Sequence, residues 1–241
     1  MFDTDKMMCV DIDTIKACMN RGGLLYKPEV ESIKSNLASI TQSVANYGIK
    51  ILSLSDSHYG DKKHALAESE LKINGGSFDL HAIVGTEEAE KIPETLLNEY
   101  ISIPTDLIIG YDNLQKMIPN VKQIVVEKQA ICAFYDKSNI GGNPVLYQIL
   151  DILEPQDIFV YGVYTEYCVL ENTMPFLVMG KNVWIIRDAI VPYNINSGMG
   201  GVYLNFPDDG DRALADMANM GARFITTEEF LRLLINNFGS L

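Results

Sequence analysis

Residues 157–173 read DIFVYGVYTEYCVLENT. An apolar, β-branched and aromatic run, Ile158-Phe159-Val160-Tyr161, meets Gly162, and a few residues later a single cysteine, Cys168, opens a helix-like segment. A run of this composition suits a strand covered on both faces of a parallel sheet. The turn that follows such a strand delivers its residues to the carboxyl edge of the sheet, where open α/β folds place their chemistry.

The same alternation extends in both directions. Towards the C-terminus, Val183–Ile186 is strand-like, Asp211–Met220 reads as a helix ended by Gly221, Arg223–Ile225 as a strand, and Thr227–Asn236 as a helix with Thr227 as its cap and Glu228 and Glu229 in its first turn. Towards the N-terminus, Asn143–Leu153 reads as a helix with Pro144 in its first turn, and Gln123–Val126 as a strand. The chain opens on the apolar run Met7–Ile12 (MMCVDI), interrupted by Asp11 alone. Pro28–Tyr47 then spaces Val30, Ile33, Leu37, Ile40 and Val44 as one face of a helix, and Ile49–Leu54 forms a second strand, so the opening unit is βαβ with a right-handed crossover. The expected fold is α/β: a doubly wound, mainly parallel six-stranded sheet with helices on both faces. Residues 1–241 are expected to form one domain, with an irregular insertion at about 55–121 that contains a strand-like ISI and whose length points to function.

Nineteen basic residues against thirty-two acidic ones give a net charge of -13, which argues against nucleic acid and anionic membranes as partners. The first six residues are polar and no apolar run reaches the length of a membrane span. Cys9, Cys18, Cys132 and Cys168 are too few and too scattered for a disulfide framework or a CxxC metal site. The expectation is a soluble, cytoplasmic protein.

Three groups fall at or near strand ends: Asp11, Lys128 and Cys168. A thiol attacks as its thiolate, an ammonium stabilises that form, and a carboxylate can take the thiol proton and return it to a leaving group. Each residue alone has a more ordinary explanation, such as a small buried hydrophobe for Cys168. Their coincidence at three strand ends favours catalysis. The three histidines, His58, His64 and His81, all lie in the irregular insertion, with Asp56 two residues before the first. One carboxylate and three imidazoles suit one divalent transition metal, Zn, Fe or Mn.

The segments VDID, SDSHYGDKKH, LHAIVGTEEAEKIPE, VEKQAICAFY, GVYTEYCV and MGARFITTEEFL follow one another over nearly the whole chain. In that order they resemble the nicotinamidase group of the isochorismatase-like cysteine hydrolases. The resemblance implies an amidohydrolase that converts nicotinamide, or a similar heteroaromatic amide such as pyrazinamide, to the acid and ammonia through a cysteine thioester, as in NAD salvage. It casts Cys168 as nucleophile, Asp11 as proton shuttle and Lys128 as the cation that keeps both ionised. It also implies a cis peptide at Val163-Tyr164, which turns the N–H groups of Tyr164 and Cys168 towards the oxyanion, and a metal on Asp56, His58, His64 and His81 that orients the substrate ring. Phe134 and Tyr135 match the aromatic stretch that lines the pocket in relatives. The partners implied are a small-molecule amide and, compatibly, further copies of the chain. The alternatives are another hydrolase of the superfamily, an isochorismatase or a carbamoyl-amide hydrolase, or a non-catalytic ligand-binding member. An isochorismatase does not require the cysteine, and the intact Asp11, Lys128 and Cys168 set argues against the non-catalytic member.

Two departures stand out. Ile12-Asp13-Thr14-Ile15-Lys16 occupies the place of the family's Q-N-D-F-like segment, and Pro175, seven residues after Cys168, is expected to kink the following helix or delay its start. Residues 189–210 are long for a strand-to-helix link and read as a candidate lid or subunit contact.

Overall fold

The structure is a computed structural model that describes residues 2–59, 71–74, 76, 78–104, 107–134, 144–193 and 209–239. Among the described residues seven strands, β1 (Met7–Ile12), β2 (Lys50–Asp56), β3 (Tyr100–Ile103), β4 (Gln123–Lys128), β5 (Asp157–Val163), β6 (Asn182–Val191) and β7 (Arg223–Ile225), form one sheet. Their order is β3-β4-β2-β1-β5-β6-β7, and every pairing is parallel. The six strands expected from the apolar runs are present. The seventh, β3, arises inside the insertion at the sheet edge, where its residues alternate between exposed and covered and give only a weak apolar signal.

The helices are α1 (Lys16–Met19), α2 (Lys34–Asn46), α3 (Tyr111–Met117), α4 (Pro144–Leu153), α5 (Leu170–Val178), α6 (Asp209–Asn219) and α7 (Thr227–Phe238). They divide between two cores. Met8, Val10 and Ile12 of β1 and Leu52 and Leu54 of β2 pack with Leu146, Phe176 and Met217 of α4, α5 and α6. Met7 and Cys9 of β1 and Ile51 of β2 pack on the other face with Leu37, Ile40 and Val44 of α2 and Phe230 and Leu234 of α7. Successive side chains of a strand point to opposite faces, so each strand feeds both cores, and its parity decides which face any polar residue joins.

Local details differ from expectation. Pro28 opens a 3₁₀ turn, Pro28–Ser32, and α2 proper starts after it. The cap of α7 is Thr226, whose hydroxyl accepts from the Glu229 N–H while the Glu229 carboxylate accepts from the Thr226 N–H, a reciprocal capping box. Thr227 instead donates its N–H and hydroxyl to Asp188 Oδ1. Residues 194–208, most of the expected lid or contact, lie outside the described residues. Among the described residues no helix is long and apolar enough to cross a membrane.

The strand order reverses between β1 and β5, so the adjacent carboxyl ends of β4, β2, β1 and β5 flank the topological switch point. The chain that leaves β5 must pass close to β1. A Cβ at Gly162, which has φ +120°, would sit 2.0 Å from the Ile12 carbonyl oxygen, so this position requires glycine.

Candidate active site

Lys128 ends β4 and Asp56 ends β2, directly opposite one another in register. Asp13 follows β1, and Cys168 lies in the turn after β5. The Lys128 ammonium is fully covered: it stands 2.9 Å from Asp13 Oδ2, pairs closely with Asp56 Oδ1 and lies 3.6 Å from Cys168 Sγ. Asp13 accepts the Asp56 N–H at 2.8 Å through Oδ1 and donates its own N–H to the Leu54 carbonyl at 2.9 Å.

Burial and the charge of Asp13 push the Cys168 thiol well above its usual pKa, against the opposing pull of Lys128. Burial and repulsion from Asp56 likewise raise Asp13, with Lys128 opposing. Burial disfavours the charged form of Lys128, but Asp13, Asp56 and Cys168 outweigh it and hold the amine protonated well above its usual range. The site therefore holds a neutral thiol beside a carboxylate whose proton affinity is enhanced, with a permanent cation against both.

Asp11 is not part of this group. Its carboxylate pairs with Lys91 and accepts from Thr14 and Ser53. Strand parity gives the reason. Asp11 shares the face of Met7 and Cys9, whereas Lys128 and Asp56 continue the series Val126 and Leu54 on the opposite face. Asp13 would share Asp11's parity if β1 continued, but the strand stops at Ile12 and Asp13 adopts φ +48°, a left-handed conformation that Asp tolerates better than most residues. That turn breaks the alternation and carries the second acid of VDID to Lys128 and Cys168.

The cis peptide falls at Val163-Tyr164. Cys168 lies in a π-helical turn, Thr165–Val169, that runs directly into α5. The helical segment thus does not start late, and Pro175 lies inside α5. Pro175 offers no N–H to the Glu171 carbonyl four residues back, and the Cys132 thiol supplies a donor there at 3.3 Å.

Asp56, His58 and His81 offer ligand atoms that all lie within 4.8 Å of one another, and all three are buried. A backbone bridge creates the cluster: His58 N–H donates to the Ala82 carbonyl and Val84 N–H to the His58 carbonyl, both at 2.9 Å. His81 Nδ1 lies 2.7 Å from the Asp79 carbonyl, which fixes the proton on Nδ1 and leaves the Nε2 lone pair directed inward. His58 and His81 Nε2 approach to 3.2 Å, and they lie 3.8 and 3.5 Å from Asp56 Oδ2. Burial would raise the Asp56 carboxyl, but Lys128 and the two imidazoles hold it well below the usual carboxylate range. One carboxylate oxygen with two converging imidazole nitrogens fits a divalent transition metal. His64 lies outside the described residues.

Cys168, Asp13, Asp56, His58 and His81 line one cavity, walled by Cys18, Leu25, Ile131, Val163 and the rings of Phe78, Tyr164 and Tyr167. Phe134 does not reach it. It is wholly buried in the core, where it packs edge-on to the rings of Tyr147 and Phe176; Tyr135 lies outside the described residues. The aromatic wall comes instead from the histidine segment and the cysteine turn. Phe78 stands edge-on to Tyr167 and Tyr193 at 5.2 and 5.7 Å. The Tyr164 hydroxyl donates to the Leu25 carbonyl at 2.5 Å and so clamps the strip that carries Cys18 and Leu25.

A family model, the isochorismatase domain, matches residues 110–229, the span that holds Lys128 and Cys168. The chain belongs to the isochorismatase-like hydrolases. No curated protein matches the chain at a significant level. Solved structures do match. A cysteine hydrolase from Pseudomonas syringae pv. phaseolicola is 16% identical, with 98% of this chain and 96% of that one covered at a TM-score of 0.73. A pyrazinamidase from Pyrococcus horikoshii in complex with zinc is 19% identical over 92% of this chain and 99% of that one, at a TM-score of 0.63. A nicotinamidase/pyrazinamidase from Bacillus subtilis is 20% identical over 91% and 98%, at 0.64. At these identities the likeness establishes the isochorismatase-like fold. Asp13, Asp56, His58 and His81 precede the matched span, and the sheet topology is what brings them to this hydrolase's cysteine.

Proposed function

We propose that this hydrolase is a metal-containing, nicotinamidase-like amidase that cleaves nicotinamide or a similar heteroaromatic amide to the acid and ammonia. The observation that carries the reading is the convergence of Asp13 and Cys168, both against Lys128, in one aromatic-walled cavity with Asp56, His58 and His81. All of it would belong to a single hydrolase domain whose segment between β2 and β4 supplies the imidazoles.

Asp13 takes the thiol proton as Cys168 Sγ attacks the amide carbonyl carbon, and the carbonyl π electrons move to oxygen. The backbone about the Val163-Tyr164 cis peptide and the Cys168 N–H stabilise that oxyanion. Asp13 then returns its proton to the departing nitrogen, the C–N bond breaks, and ammonia leaves a thioester on Cys168. Asp13 next accepts a proton from water as the water oxygen attacks the thioester; the C–S bond then breaks and Asp13 returns that proton to sulfur, regenerating the Cys168 thiol and releasing the acid. Lys128 favours the anionic form of Asp13 before it accepts each proton and stabilises sulfur as negative charge develops.

Asp56, His58 and His81 would hold the metal, which when bound supplies a Lewis-acidic point for a ring nitrogen. The rings of Phe78, Tyr164 and Tyr167 would flank a planar heteroaromatic ligand. The test is ammonia release over a panel of nicotinamide, pyrazinamide and carbamoyl amides, with isochorismate cleavage followed separately. The reading expects fastest turnover on the pyridine or pyrazine amide, abolished in Cys168→Ala; turnover confined to carbamoyl amides or isochorismate would overturn it.

A further inference from the structure

A second acid–lysine pair lies buried beneath the first. Lys91 and Asp11 pair at 3% and 0% side-chain exposure. Asp11 Oδ1 accepts the Thr14 hydroxyl at 2.7 Å and Oδ2 accepts that of Ser53 at 3.1 Å. Lys91 Nζ also donates to Thr14 Oγ1 at 2.7 Å, and Thr95 Oγ1 lies 2.6 Å from the same oxygen. Gln123 of β4 ties the group to the sheet, donating to Ser53 Oγ and to the Thr95 carbonyl, both at 2.8 Å. None of Asp11, Thr14 or Lys91 lines the cavity.

The shared element is Thr14, the residue immediately after Asp13. Its hydroxyl is held by Asp11, Lys91 and Thr95, and its carbonyl accepts the Ile92 N–H at 3.0 Å. Asp13 itself has φ +48° and is fixed on its other side by its N–H to Leu54. A buried ion pair is a weak source of stability, since apolar residues of similar volume often serve packing equally well. It does supply direction. We propose that the Lys91–Asp11 pair is a positioning unit that, through Thr14, holds the left-handed turn aiming Asp13 at Cys168. The inference rests on the amidase reading for the role of Asp13, and an error near 1 Å in such a group costs on the order of 100-fold in rate.

The test compares wild type with the double variant Asp11→Asn/Lys91→Met, which removes both charges together and strands neither. Circular dichroism and thermal unfolding establish that it folds. In the folded double variant kcat on the best amide is expected to fall about 100-fold with KM within about twofold, and site-resolved alkylation of Cys168 by iodoacetamide should slow about tenfold or more. Thr14→Val leaves the ion pair in place and removes only its link to the turn, and is expected to slow both rates about tenfold; it decides the matter if the double variant fails to fold. Wild-type alkylation of Cys168 in whichever variant is folded overturns the proposal. Alkylation needs no substrate, so a wild type that hydrolyses none of the amides would defeat the amidase reading and leave this comparison intact.

Discussion

The two buried acid–lysine pairs, Asp13–Lys128 and Asp11–Lys91, are alike in composition and differ in everything that decides reactivity. Both lysines are almost wholly covered. Lys128 stands at the end of its strand, shared by two carboxylates and a thiol, and its partners open onto a cavity. Lys91 serves one carboxylate and one hydroxyl, closed off on the other face of the sheet. Proximity of an acid to a lysine therefore does not by itself mark a catalytic group. Position relative to the strand end, and the face on which the side chain emerges, separate the pair proposed as reactive from the pair proposed as supporting.

The comparison is broken or sharpened most strongly by Asp13→Asn. With the proton acceptor gone and the shape retained, kcat/KM should fall by about 10²–10⁴-fold in an amide-hydrolysis assay, with a melting temperature near that of wild type. Asp11→Asn should lose stability as well as turnover. It leaves the buried Lys91 charge uncompensated and should cost about 3–5 kcal/mol in denaturant unfolding, because stranding one member of a buried pair is strongly destabilising. His58→Ala probes the neighbour that only the reactive pair has: elemental analysis should show bound transition metal in wild type and its loss in the variant. The smallest expected effect is at a site remote from both pairs. Thr226→Ala removes the hydroxyl half of the α7 capping box and should cost about 1 kcal/mol in unfolding, with turnover unchanged.

Much of this arrangement is legible in the chain before folding. Continuous apolar runs such as Ile158–Tyr161 mark buried parallel strands, and the gathering of His58 and His81 behind Asp56 marks the candidate metal-ligand cluster. β3 is faint because an edge strand carries its apolar residues on alternate positions only. The acid is less legible. VDID offers two carboxylates two residues apart, which a regular strand would place on one face, and only the left-handed turn at Asp13 separates them. Backbone dihedral angles are not written in apolar periodicity, although the end of the apolar run at Ile12 is a usable sign that the residue after it lies at the sheet edge. Phe134 illustrates the same limit from the other side. An aromatic residue soon after a catalytic strand fits pocket and core equally well on pattern, and contact with Tyr147 and Phe176 decides for core. The pocket's own rings, Phe78, Tyr164 and Tyr167, sit beside His81 and Cys168 in sequence, so proximity to the chemical residues was the available signal.

The most direct test of the central claim is ammonia release from nicotinamide by wild type, Cys168→Ala and Asp13→Asn, measured side by side on folded, metal-loaded protein. Turnover by wild type with both variants at or near background is the predicted result; Asp13→Asn turning over at a rate close to wild type would contradict the assignment of Asp13 as the group that moves the proton for Cys168.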